Sequence, residues 1–371
     1  MERYFSTDVL LDILQRLPPS SRRRARLVCR HWRDVVDERT EEMKSRAMPL
    51  IWDTSGSVAN YVADDLSRPW ASAEIGNRMV DSAYRFKGGV QLVGTCNGLL
   101  CLCSNKKPGG AIMVVNPSTR EKLRVPPLPG VRSRRGVGWD KAYSFGYHPV
   151  TGRYKVVHVP CSLDRACEFD VLHVFTLGEA AWREVPLVTL GGAKCNLNAG
   201  IVSVDGVTYW VAGDDSARVM SFDLQDERVV STTWLPTVPA GRDQYHLTEA
   251  HGRLGVVALD ASMTAEVWLL EKEQWSRRYI LRGHDLPRPQ VVYGNYVLTR
   301  KSVSFYGHWF WRSPGGRSVV HVSHFDNGRL VAKMIGEHYC YRTFAYVKTS
   351  EPLGVFRRKQ LGMDMELIND F

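Results

Sequence analysis

Few residues of this sequence fall at spacings that do chemistry. His321-x-x-His324 has the look of a metal-ligand pair. On an extended strand, however, residues three apart point to opposite faces and cannot share an ion. Cys101 and Cys103 are two apart in an apolar run; on a strand both thiols face one side, and a buried core is the expected place. Asp214-Asp215 follows Gly213, and paired carboxylates can hold a catalytic metal. Between two strands the pair reads instead as a turn, where Asp bonds to its own backbone. Gly136-x-Gly138 is followed by Trp139-Asp140-Lys141 and does not open a helix after a strand, as a dinucleotide-binding loop must. A Gly-x-Ser-x-Gly elbow and a Gly-Lys phosphate loop are both absent. The expectation is a non-catalytic protein with no metal site and no cofactor.

Charge offers a different kind of chemistry. Lys and Arg total 49 against 39 Asp and Glu, a formal net charge of +10 over 371 residues. Such a balance suits nucleic acid, an anionic membrane or an acidic protein. Arg16, Arg22, Arg23, Arg24, Arg26, Arg30 and Arg33 crowd one short stretch, and Arg132, Arg134 and Arg135 form a second group. Basic residues interleaved with Tyr and Trp could grip phosphates and stack bases. No RNA-binding signature accompanies them, so nucleic acid is the disfavoured partner. The eight cysteines include no Cys-x-x-Cys pair, which suits free thiols in a reducing compartment. Met1 to Asp8 is unlike a signal peptide, having acids and no apolar core. No run approaches the roughly 18 apolar residues that span a bilayer. The expected setting is intracellular, nucleus and/or cytoplasm, with no membrane partner.

Two kinds of element must position these groups. Val9, Leu10, Ile13, Leu14 and Leu17 form one apolar helical face. Thr7 is a plausible N-cap, and Pro18-Pro19 ends the helix. Ser20 or Ser21 can cap a second stretch in which Ala25, Val28, Trp32 and Val35 recur at helical spacing. Residues 49–89 are weakly patterned and read as a connector, apart from a short strand at Leu50-Ile51-Trp52. From residue 90 the apolar period becomes two. Asn97-Gly98 between apolar runs is a strong hairpin signal. Turn glycines recur at 98, 152, 206, 252 and 294, a spacing of 42 to 54 residues, which marks a propeller-like repeat. The expected organisation is 1–48 helical, 49–89 connector, 90–350 β-domain and 351–371 tail, with Met363 to Ile368 as a short terminal helix.

Several motifs together carry a family likeness. Phe5 to about Val36, with Val9-Leu10-Leu11-Asp12-Ile13-Leu14-Gln15-Arg16-Leu17-Pro18 and Val28-Cys29-Arg30-His31-Trp32-Arg33, resembles an F-box. The downstream motifs are Cys96-Asn97-Gly98-Leu99-Leu100-Cys101, Asn116-Pro117-Ser118-Thr119-Arg120-Glu121, Phe145-Gly146-Tyr147-His148-Pro149-Val150-Thr151 and Val207-Thr208-Tyr209-Trp210. They are similar to the F-box-associated domain of plant F-box proteins. The resemblance implies a small all-α F-box followed by a large all-β domain, a kelch-like β-propeller or related β-sheet repeat. The stretch 290–335 departs from the pattern, and the blade count is not fixed by the sequence.

The resemblance also implies a role, that of substrate-recognition subunit of an SCF-type ubiquitin ligase. Val9, Leu10, Ile13, Leu14, Leu17, Val28, Trp32 and Val35 would face the Skp-type adaptor, and through it cullin and RING subunits. The β-domain would hold a protein target not named by the sequence. Arg132, Arg134, Arg135 and Lys141 are the candidate target contacts and suggest an acidic target. Arg22-Arg23-Arg24-Ala25 stands where the family has a Leu-Leu-x-Phe-like stretch, which predicts weakened adaptor binding. The alternatives are an adaptor-independent interaction scaffold and a basic nucleic-acid-binding protein.

Overall fold

The computed structural model describes residues 6–17, 19–25, 28–39, 48–53, 58–61, 84–85, 89–131, 138–161, 168–187, 193–213, 217–236, 245–250, 252–259, 265–271, 273–281, 288–293, 296–303, 317–326, 329–338 and 341–359. The expected terminal helix at 363–368 lies outside them.

Three helices come first: α1 (Thr7–Arg16), α2 (Pro19–Ala25) and α3 (Arg30–Arg39). Ser6, not Thr7, caps α1, its hydroxyl accepting from the Val9 N–H at 3.4 Å. Asp8 sits in the first turn, where the helix dipole favours an acid. Leu17 is already extended, as a residue before proline tends to be. Pro19 is the first residue of α2, where a missing N–H costs nothing. Ser20 and Ser21, expected as caps, therefore lie inside that helix.

The rest of the described chain is six four-stranded antiparallel sheets. The first begins with β1 (Met48–Asp53), β2 (Val58–Tyr61) and β3 (Tyr84–Arg85). The segment expected as a connector thus supplies three strands. Five sheets follow in chain order. They are β4 (Val90–Cys96), β5 (Leu99–Ser104), β6 (Ala111–Val115) and β7 (Lys122–Arg124); then β8 (Tyr143–His148), β9 (Arg153–His158), β10 (Val171–Thr176) and β11 (Arg183–Pro186). The next are β12 (Ile201–Val204), β13 (Val207–Val211), β14 (Arg218–Asp223) and β15 (Arg228–Trp234); then β16 (Tyr245–Ala250), β17 (Arg253–Leu259), β18 (Ala265–Glu271) and β19 (Gln274–Leu281). The last comprises β20 (Arg288–Tyr293), β21 (Tyr296–Val303), β22 (Arg317–Asp326) and β23 (Arg329–His338). Finally β24 (Tyr341–Tyr346) returns to pair with β1, Met48 opposite Tyr346. It completes the first sheet.

One strand of each sheet touches its counterparts on both sides, in the cyclic order β24, β4, β8, β12, β16, β20 and back to β24. The sheets are the blades of a closed ring. Apolar cores lie between neighbouring blades, so a strand packed on both sides needs both faces apolar, whereas the outer strand β15 is largely exposed. β5 shows this directly: Leu99, Cys101 and Cys103 enter one core and Leu100 and Leu102 the next. The two cysteines are buried on one side, as their spacing predicts, and burial raises both thiol pKa values. Trp52, Trp210, Tyr154, Phe175 and Phe222 are fully buried. Each ring removes roughly 150–250 Å² from water, on the order of 4–6 kcal/mol of transfer free energy.

β24 runs alongside β4. Arg342 reaches the Leu92 carbonyl at 3.1 Å, the Thr95 hydroxyl donates to the Ala345 carbonyl at 2.5 Å, and Val347 lies over Gly98. The chain therefore leaves β24 at the end of the ring that carries the Asn97-Gly98 turn. This near end also receives β1, antiparallel to β24, and so the helices. The sheet-to-sheet connections leave from the opposite, far end.

The segment after β24 is fastened to the second sheet. Buried Asn116 donates to the carbonyls of Thr349 (3.1 Å) and Glu351 (2.8 Å) and accepts from the Ser118 N–H (2.9 Å). Glu121 accepts the N–H groups of Leu353 (3.0 Å) and Gly354 (3.2 Å). Burial opposes its charge, but these bonds and the Thr119 hydroxyl outweigh burial and hold its carboxyl below the usual range. Gly98 has φ of +80°, and a Cβ there would strike the Val347 carbonyl. Residues 351–359, expected as a tail, are thus part of the fold, with Leu353 in the core between the second and third sheets.

Asn116→Ala strands two buried carbonyls, and the expected loss is on the order of 2–4 kcal/mol. Urea unfolding should show it as a lower midpoint with an unchanged slope. A surface alanine such as Gln225→Ala should stay within about 0.5 kcal/mol.

Candidate functional site

The helical unit has its own small core of Leu10, Leu14, Ala25, Val35 and Val36, with Leu11, Leu17 and Trp32 packed partly against it. This divides the eight residues expected to face a partner. Leu10, Leu14 and Val35 are buried within the unit, and a side chain used to hold three helices together is not presented to another protein. Val9 is 49% exposed, Ile13 36% and Val28 63%. Val9 and Ile13 lie four apart and share a strip of α1, as do Leu10 and Leu14 one position round the helix. The wide apolar arc is therefore two strips, one facing in and one facing out. Leu17 and Trp32 are half-buried against the internal core. The Asp12–Arg16 pair at 2.9 Å beside the outer strip is largely exposed and contributes little.

Target contacts were expected in the connection between β7 and β8. This connection leaves from the far end of the ring, away from the helices. Lys141 lies there on a 3-10 turn, Trp139–Ala142, with its side chain exposed. Its neighbour Asp140 is buried, paired with Arg342 at 3.1 Å and bonded to Asn105 at 2.7 Å. The turn is thereby anchored to the closing strand. Arg132, Arg134 and Arg135 lie outside the described residues.

The titratable clusters of the described residues serve the ring. Buried Lys155 pairs with Glu227 at 2.6 Å and donates to the Leu224 carbonyl. Glu227 also takes Arg183, so one carboxylate ties the third sheet to the fourth. His158 and His173 face each other on β9 and β10 with their Nδ1 atoms 3.4 Å apart. Glu184 lies 3.9 Å from His173, and Tyr143 packs on the His158 ring at 4.7 Å. Burial, then its imidazole partner, pushes His158 down to about 3; burial also lowers His173. Among the described residues no group of three His, Cys, Asp or Glu side chains is placed to hold a metal. His321 and His324 both fall on β22, and Asp214-Asp215 lies outside the described residues.

Comparison with known proteins gives this arrangement its class. The profile of the F-box domain matches residues 5–41, over the three helices. The profile of the F-box associated beta propeller domain matches residues 71–300, more than half of the chain. The chain belongs to the F-box proteins that carry an F-box-associated β-propeller. The proteins it is similar to include several of Arabidopsis thaliana. F-box/LRR-repeat protein At2g43260 is 28% identical over 73% of this chain and 66% of its own length. F-box protein At3g07870 is 24% identical over 94% and 86%. F-box/kelch-repeat protein At2g43445 is 26% identical over 74% and 65%. The chain thus spans just under two thirds of the first and third of these relatives.

The histidine pair gives a signed pH dependence. Its folded imidazoles take up protons at lower pH than unfolded ones, whose ordinary value is 6.5. The stability they contribute is complete above that value and falls as pH drops toward 3. His158→Phe removes one titrating group, so the decline in Tm between about pH 7 and about pH 5, which brackets the ordinary imidazole value, should be shallower in the variant than in the wild type.

Proposed function

We propose that this chain is the non-catalytic substrate-recognition subunit of an SCF-type ubiquitin ligase. The observation that carries the reading is the set of exposed apolar residues of the F-box, Val9 and Ile13 on the outer strip of α1 and Val28 in the turn before α3, on a helical unit attached at one end of a closed ring. Three apolar side chains left in water beside a satisfied internal core suit a partner's groove, where a few anchors supply most of the affinity. The partner is a Skp-type adaptor, joined through it to cullin and RING subunits. The far end of the ring presents the target, with Lys141 and the basic run Arg132, Arg134 and Arg135 suited to an acidic protein. The ring is of kelch-like type, a reading supported by closure through the last strand and by one relative's name.

In this role the chain breaks no bond. It holds a target near a charged ubiquitin carrier and raises the local concentration of its lysines. Such a protein works inside the cell, in the nucleus and/or cytoplasm.

The test is co-expression with a plant Skp-type adaptor and affinity capture. Ile13→Asp together with Val28→Asp should weaken capture by more than ~10-fold while leaving the fold intact, as expected for interface anchors. Leu14→Asp should instead unfold the helical unit, because Leu14 is interior. Arg22→Leu with Arg23→Leu should tighten capture if those arginines weaken the dock. A folded wild type that captures no adaptor would favour the adaptor-independent scaffold.

A further inference from the structure

Arg24 is exposed on α2, yet its stem is not free. Its Cδ lies 2.5 Å, its Nε 3.2 Å and its Cγ 3.3 Å from where a Cβ on Gly152 would stand. The aliphatic stem rests on the bare backbone of the turn between β8 and β9. Gly152 has φ of +67°, a conformation that glycine adopts without steric cost. Any side chain there would meet the arginine and lift it.

Two independent features place this turn and the helices at the same end. β1, which follows the helices, starts opposite Tyr346 at the near end. The 3-10 helix Gly354–Lys359, beyond β24, packs Phe356 against the Tyr154 ring at 6.1 Å and against Gly178. It braces the sheet that carries the turn.

We propose that Arg24 is a positioning residue: seated on Gly152, it fixes the angle at which the F-box carries the propeller. Two units joined by a short stretch of chain reorient by default unless a contact holds them. A glycine seat for a long side chain is such a contact. Arginine at this position serves the chain's own geometry and leaves the outer strip of α1 to the partner. The functional consequence rests on the ligase reading; the geometry does not. In a device that works by proximity, the angle decides which lysines come within reach of the ubiquitin carrier.

The experiment uses the full chain as wild type, Arg24→Ala, Arg24→Lys and Gly152→Val. Small-angle scattering should show a distance distribution broadened toward longer distances for Arg24→Ala and Gly152→Val. Arg24→Lys keeps an aliphatic stem and should superimpose on wild type. Arg24→Ala should leave the Tm of the propeller unchanged and adaptor capture within about twofold, as for a surface substitution. If Gly152→Val fails to fold, Arg24→Ala carries the test. In a ligase reconstituted with adaptor, cullin and RING subunits, the set of this chain's own lysines that receive ubiquitin should widen in Arg24→Ala. Superimposable scattering of Arg24→Ala and wild type would overturn the proposal. Failure of the wild type to capture adaptor would overturn the ligase reading and leave the scattering result standing.

Discussion

Everything in the β-domain depends on one pairing, that of β24 with β1. An open row of sheets ends in unpaired strand edges, and each edge is a template for another chain. Closing the row packs the blades on one another and leaves only short, protected edges around its axis. Here the first sheet comes from both ends of the domain, so closure is a backbone ladder and not merely a side-chain contact. The second sheet reinforces it. Its Asn97-Gly98 turn, Asn116 and Glu121 receive the chain as it leaves β24. At the far end Arg342 of β24 reaches Asp140, just before the third sheet. The residues most characteristic of the sequence motifs are therefore the ones that hold the end of the domain in place.

Much of the architecture is legible in the sequence. Asn97-Gly98 and Asp205-Gly206 are two-residue turns with both residues at positive φ, and their composition signals this directly. The apolar strands at Ile112, Val171, Val219, Val267 and Val319 fall where period two puts them. The first sheet was hidden for a physical reason. β2 has four residues and β3 two, too few to show a period. The strand that makes sense of them lies almost three hundred positions away in sequence. The terminal segment was hidden likewise, because backbone carbonyls and N–H groups hold it, and these carry no residue signature.

The helical unit shows a different limit. Helical spacing identifies Val9, Leu10, Ile13 and Leu14 as one apolar arc, correctly. It does not say where the arc divides between the unit's own core and a partner. Neighbouring positions differ by about 100° around the axis, and a third helix must be in place before one strip is inside and the next outside. Leu14 and Ile13 are adjacent in sequence with opposite fates. At the far end the division of labour follows from antiparallel pairing alone. The helices collect at one end of the ring and the sheet-to-sheet connections at the other.

A sheet built from both ends of a domain also sets an order of events during synthesis. β1 emerges early, and its partner β24 emerges only after nearly the whole ring has been made. At about 5–20 residues per second, the opening strands wait on the order of tens of seconds with one edge unfilled. The F-box ahead of them has a complete local core and needs none of the later chain. The nascent protein is thus able to acquire its helical handle well before it has a ring to carry. A ribosome that stops short of Tyr341 leaves the helical unit without a closed ring.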